Sequence, residues 1–239
     1  MAPSSARPGG DSTAPRPFSL LSFDCFGTLV DWRRGLADGL ARQGVPTDDA
    51  GALERFFTRR EAAERGLQAA EPGLAYRTVL ARSTRDAVRE VWGIALSPES
   101  ADAIAAGQRG WPAWPDAPAA LARLDAAGFP LALLSNCDED VLLDCAREVL
   151  GLDEVLLVAS SAVGSYKPAP GHWEALLRAT GLPPDAVLHA SAYATYDHVP
   201  ARALGFAVAH VARPGAEAPD FAPDLAVADL ADLADRLGA

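Results

Sequence analysis

FSLLSFDCFGTLVDW, residues 18–32, opens on an apolar run that is too short for a free-standing helix and is ended by Gly27, so it reads as a buried strand. A carboxylate, Asp24, stands at the end of that run, with Phe26 two places on and Thr28 four. Similar runs recur at Phe129 to Ser135, Glu154 to Ala159, Ala186 to Ala190 and Phe206 to Val211. Between them the spacing predicts helices over about 117–127, closed by Gly128, and over about 139–150, 173–180 and 199–204. LAVADLADLADRLGA, at the end of the chain, reads as a short strand and a closing helix. Strands alternating with helices of this length imply βαβ units. The expected class is therefore α/β, a Rossmann-like, doubly wound parallel sheet with helices on both faces, over residues 18–31 and 113–239.

Residues 32–112 break the rhythm. Ala50 to Ala70 and Tyr76 to Val91 carry apolar residues at helical spacing among many Arg and Glu, with no strand-like run between them. The simplest account is a helical cap domain inserted after the first strand. Val30 to Arg34 is the natural exit, and the proline-rich GWPAWPDAP the return hinge. Residues 1–17, rich in Pro, Ser and Gly and without an apolar core segment, read as a flexible N-terminal tail rather than a signal peptide or anchor.

The net charge of −11 argues against nucleic acid, which rewards clustered Lys and Arg, and against anionic membrane surfaces. A soluble cytoplasmic protein with a small-molecule partner is the expectation. The three cysteines, Cys25, Cys137 and Cys145, form no C-x-x-C pair and read as reduced, apolar filler.

In an open parallel sheet, ligands bind beyond the carboxyl ends of the strands. That rule gathers Asp24 to Thr28, then Ser135 and Asn136, then Gly164 to Lys167, then Ser191 to Asp197. Each has a plainer reading. Asp24 could cap a turn, Ser135 and Asn136 could cap the helix beginning near Asp138, and Asp197 could cap the helix that follows it. Lys167 could be an exposed loop charge. It is, however, the one lysine in a chain whose other basic residues are Arg and His, and a compact ammonium on a long stem suits a buried carboxylate.

FDCFGTLVDW, LLSNCDED, VGSYKPAP and YDHVPARALGF resemble, in order and spacing, the four motifs of the haloacid dehalogenase superfamily, and more closely those of its L-2-haloacid dehalogenase branch. The resemblance implies a hydrolase that needs no cofactor or metal and acts on a small carboxylate. It would release halide from a short 2-haloacid through an aspartyl ester. Asp24 would be the nucleophile, oriented and kept ionised by Thr28, Ser135 and Lys167. Asn136 would face the leaving group, and Asp197 would position or activate the water that opens the ester. An arginine from the first cap helix would hold halide or carboxylate; FFTRRE offers Arg59 and Arg60, of which only one can face the core, and Arg59 is preferred.

Phosphatases of the same superfamily carry a second Asp where this chain has Phe26, and a magnesium-binding acid shortly before the position of Asp197, where it has Ala192 and Tyr193. An apolar pocket beside Asp24 suits displacement at carbon. Members of the dehalogenase branch tend to carry Ser and Asn where this chain has SAYAT, and Tyr where it has Trp173. Tyr193 and Trp173 are therefore expected to reshape the substrate pocket. A related substrate with another activated C2 bond, a magnesium-dependent phosphatase and a non-catalytic binding protein are the alternatives. Many relatives are dimers, and apolar cap helices would permit a homodimer.

Overall fold

In the computed structural model, which describes residues 17–216 and 219–239, the opening apolar run is a strand, β1 (Leu20–Asp24), with all five residues buried. Apart from Pro17, the expected N-terminal tail lies outside the described residues. Four helices follow: α1 (Trp32–Arg42), α2 (Ala50–Ala70), α3 (Tyr76–Trp92) and α4 (Pro98–Ala106). Then come α5 (Ala117–Ala126), β2 (Leu131–Ser135), α6 (Glu139–Asp144), β3 (Leu156–Ala159), the single turn α7 (Ser160–Val163) and α8 (Gly171–Thr180). The chain closes with β4 (Val187–Ser191), α9 (Val199–Ala203), β5 (Ala207–Val211), β6 (Leu225–Val227) and α10 (Leu230–Arg236). The helix expected over 139–150 is shorter as an α-helix, because Cys145–Val149 widens into a π-turn.

The strands form one parallel sheet in the order β3-β2-β1-β4-β5-β6. Successive residues of a strand face opposite sides, and here both sides are apolar. Leu21, Phe23, Leu131, Leu133 and Leu188 share one buried layer with Leu121 and Leu124 of α5 and with Leu230 and Leu233 of α10. Leu20, Leu134, Val187 and Val208 share the other with Trp173 and Leu176 of α8 and Ala201 of α9. At about 2 kcal/mol for each large side chain removed from water, these two layers outweigh any helix or strand propensity as the source of stability. The chain enters the sheet at β1, winds outward to β3 and returns beside β1 as β4, so the crevice between the C-terminal ends of β1 and β4 is the topological switch point.

The helical insertion leaves and rejoins the sheet through two adjacent segments. Val30 pairs antiparallel with Ala113, Asp31 N–H donates to Pro112 O at 2.8 Å, and Trp114 N–H donates to Leu29 O at 2.9 Å. Asp49 caps α2 by accepting from Gly51 and Ala52 N–H, and Ser97 caps α4 ahead of Pro98. Helix α3 has no cap of its own. The carboxylate of Asp138, before α6, accepts Tyr76 N–H at 3.1 Å and Arg77 N–H at 3.0 Å, so a residue of the sheet domain fastens the insertion over the strand ends. The three cysteines are free and buried, with Cys25 Sγ 3.8 Å from Cys145 Sγ. Among the described residues, no helix is long and apolar enough to cross a membrane.

Candidate active site

Asp24, the last residue of β1, is delivered to the switch point by the strand itself. Beyond it the chain turns sharply, with Leu29 N–H and Val30 N–H both donating to Cys25 O, and this returns Thr28 to the carboxylate: its hydroxyl donates to Asp24 Oδ2 at 2.8 Å. Gly27 makes the turn possible. Its φ of 112° is closed to most side chains, and a Cβ there would collide with the ring of Tyr193. Arg213 steadies the same loop by donating from Nε to Thr28 O at 2.9 Å while its guanidinium grips Asp116.

Lys167 arrives from the loop before α8 and spends all three ammonium hydrogens internally. They go to Asp24 Oδ1 at 2.8 Å, Asp197 Oδ1 at 2.6 Å and Leu134 O at 3.0 Å. Its backbone is clamped by Asn136, whose Oδ1 accepts Lys167 N–H at 2.6 Å and whose Nδ2 donates to Lys167 O at 3.0 Å. Asn136 therefore does not cap α6, as its plainer reading allowed. Asp197 lies in the π-turn after β4 and is buried, accepting from Lys167 and His189 on Oδ1 and from the Ser191 hydroxyl on Oδ2 at 2.9 Å.

The two carboxylates share one cation and titrate apart. Burial pushes the Asp24 carboxyl up, against the pull of Lys167 and with a further push from Asp197. Burial acts on Asp197 in the same sense, but the charges and hydrogen bonds of Lys167 and His189 outweigh it and hold Asp197 well below the usual carboxylate range. For Lys167, burial favours the neutral amine, yet the two carboxylates win and the ammonium is held above its ordinary value.

In front of Asp24 lies a cavity of about 230 Å³, lined by Phe26, Ser135, Asn136, Lys167, Tyr193 and Asp197 from the sheet domain and by Trp32, Arg60, Glu61, Glu64, Tyr76 and Trp111 from the insertion and its return. Phe26 packs edge-on to Trp111, and the Tyr193 hydroxyl accepts from Trp32 Nε1 at 2.8 Å, so aromatic side chains join the two parts across the pocket. Ser135 is buried at the cavity wall; the bonds given to Asp24 come from Lys167 and Thr28 instead, while Ser135 O accepts from His172 Nε2.

Two expected site residues lie elsewhere. Arg59 is exposed and pairs with Glu90 at 3.0 Å, outside the cavity. Helix α2 turns about 100° per residue, which brings its neighbour inward: Arg60 is buried, pairs with Glu64 at 2.5 Å and stacks over Trp32 with its guanidinium carbon 4.8 Å from the ring centroid. Trp173 is fully buried in the core layer behind the sheet and meets His189 edge-on at 5.6 Å, so it supports the site from behind instead of lining it. The reason is its place on α8, whose apolar face packs on the strands. Sequence reasoning placed Ser191 at the rim without a role and missed His189, Trp32 and Tyr76. His189 left a trace: a histidine within the apolar run VLHAS has to find a polar partner.

A family model described as haloacid dehalogenase-like hydrolase matches residues 18–191. Among solved structures, the defluorinating L-2-haloacid dehalogenase Rha0230 superposes with a TM-score of 0.79 at 26% identity, over 93% of this chain and 96% of that one. The L-2-haloacid dehalogenase PA0810 superposes with a TM-score of 0.77 at 30% identity, over 92% and 99%. An L-2-haloacid dehalogenase from Xanthobacter autotrophicus gives a TM-score of 0.77 at 22% identity, over 93% and 99%, a likeness of fold alone. No curated protein sequence matches the chain.

Proposed function

The chain belongs to the haloacid dehalogenase-like hydrolases, and within that family we propose that it hydrolyses the carbon–halogen bond of short 2-haloacids through an ester on Asp24. One observation carries this reading. All four oxygens of Asp24 and Asp197 already accept hydrogen bonds, from Lys167, Thr28, His189 and Ser191, and an ammonium occupies the space between the two carboxylates. Magnesium demands near-octahedral oxygen ligation, and with Phe26 in place of a further acid the donor set does not fit it. What remains is a carboxylate paired with Lys167 and facing an aromatic wall, an arrangement suited to attack on carbon.

The substrate carboxylate sits against Arg60, with C2 over Asp24. An Asp24 oxygen attacks C2, the carbon–halogen bond breaks, and halide departs with the bonding electrons. Water then adds to the ester carbonyl, oriented by Asp197, which takes one of its protons and passes it to the departing alkoxide oxygen. Collapse restores the Asp24 carboxylate and yields the 2-hydroxy acid, with one proton released to solvent. Thr28 and Lys167 hold the nucleophile on line throughout, and Asn136 fixes the loop that carries Lys167.

A second reading keeps the ester chemistry and changes the leaving group. Glu61 and Glu64 line the same cavity, where a cationic nitrogen on the substrate would find a partner; a strained ring amine beside a carboxylate has an activated C2 bond of that kind. Protein treated with EDTA and offered L-2-chloropropionate, a strained cyclic amino acid and an aryl phosphate separates the readings. Chloride release without added metal is expected. Phosphate release that requires magnesium would overturn the proposal, and ring opening without halide release would select the second reading.

A further inference from the structure

We propose that His189 is a positioning residue for the second half of the reaction, holding Asp197 in the orientation that opens the ester; this rests on the ester mechanism proposed for Asp24. His189 lies within β4, fully buried, eight residues before Asp197. Its Nε2 is 3.1 Å from Asp197 Oδ1, and its Nδ1 is 2.9 Å from the hydroxyl of Ser22, on the neighbouring strand β1. All four histidines of the chain lie in the described residues, and the other three, His172, His198 and His210, each leave Nδ1 without a hydrogen-bond partner. His189 alone among them has both ring nitrogens engaged.

The charge on Asp197 fixes the proton on the near side of the ring. A lone pair on Nε2 aimed at an ionised carboxylate would be repelled, so Nε2 carries the proton and donates it to Oδ1. On the other side of the ring, Nδ1 lies 2.9 Å from the Ser22 hydroxyl, whose oxygen is also 3.5 Å from Leu188 O. The result is a chain from Ser22 through His189 to Asp197, running across two hydrogen-bonded strands. Trp173 packs edge-on against the imidazole at 5.6 Å and keeps it from rotating.

Lys167 cannot do this work alone. Its ammonium is shared with Asp24, and once Asp24 becomes a neutral ester the partition of that cation between the two groups changes. Of the two carboxylates His189 bonds Asp197 and not Asp24, so its hold on Asp197 is the same before and after ester formation. A group that acts on Asp197 and not on Asp24 should govern ester hydrolysis and leave halide displacement alone.

The test is rapid-quench chloride release and mass analysis of the Asp24 peptide, with L-2-chloropropionate, for the parent protein, His189→Phe, His189→Gln and Ser22→Ala. His189→Phe is expected to keep a first-turnover chloride burst within about twofold of the parent and to lose about 10²-fold in the subsequent steady state, with the ester accumulating on Asp24. His189→Gln, which can place an amide N–H near Asp197, is expected to recover part of that loss, and Ser22→Ala to show a smaller loss of the same kind. The burst itself certifies the fold, since displacement requires an assembled site. Should His189→Phe fail to fold, the comparison of His189→Gln and Ser22→Ala with the parent carries the test. A burst slowed in proportion to the steady state, or a steady state at the parent rate, would overturn the role given to His189. Absence of any chloride burst or ester in the parent protein would instead overturn the dehalogenase reading, and this inference with it.

Discussion

Lys167 Nζ lies 2.8 Å from Asp24 Oδ1, with both side chains buried. Removing a partner from such a pair leaves an uncompensated charge and costs far more than an exposed ion pair does. Lys167→Met is therefore expected to protonate one of the two carboxylates at neutral pH and to lower kcat by about 10³-fold or more. Halide release followed over hours measures it. Turnover at the parent rate would show that the ammonium is not what keeps Asp24 reactive.

The same pair sets the pH dependence. The proposed attack needs Asp24 ionised, and its carboxyl is pushed above its ordinary 3.8, so activity should fall with decreasing pH through an apparent pKa higher than that value. Lys167 is held above its ordinary 10.5, so the ammonium persists through neutral and moderately alkaline pH and no lysine limb should appear below that point. The profile of kcat/KM against pH, which reports the free enzyme, checks both limbs. An acid limb at or below 3.8 would contradict the burial-driven shift of Asp24.

The sheet was legible in the sequence because its central strands β1, β2 and β4 are buried on both faces, and such strands leave unbroken apolar runs such as LALLS at 131–135. Asp24, Lys167 and Asp197 were legible for a related reason: strand ends in a parallel sheet meet at one rim, so position along the chain predicts proximity. Arg60 was not separable from Arg59, since which of two adjacent helical residues turns inward depends on how α2 rolls against the sheet domain. Trp173 was misplaced because six residues past Lys167 measures chain length, whereas the path of α8 carries that side chain behind β4. Asn136 was placed at the rim correctly, but its bonds run to the Lys167 backbone, a contact between loops that no local pattern encodes.

Gly27 and Tyr193 make a steric prediction. Gly27→Ala places a Cβ at a φ of 112° and against the phenol ring, so two costs add. Backbone strain alone is expected to remove about 1–3 kcal/mol of stability, read by chemical denaturation. Combining it with Tyr193→Ala should recover the steric part and leave the strain, so the double variant should be more stable than the sum of the single effects. Strict additivity would mean that the ring and the glycine do not meet in solution.

Arg60 and Arg59, neighbours in sequence, should behave oppositely. Arg60 faces the cavity from α2, held by Glu64 and by the Trp32 ring, and in the proposed reaction it would meet the substrate carboxylate with a charge-assisted hydrogen bond. Such a bond is worth about 1.5–3 kcal/mol, so Arg60→Gln should lower kcat/KM by about 10- to 100-fold, chiefly through KM if the contact is made equally in the ground and transition states. Arg59 is exposed and its partner Glu90 is exposed too, a pairing worth at most about 1 kcal/mol of stability and none of binding. Arg59→Ala should therefore leave kcat/KM within about twofold of the parent. Steady-state kinetics on the two variants decides between them: a larger loss from Arg59 than from Arg60 would mean that α2 turns its other face to the substrate in the working enzyme.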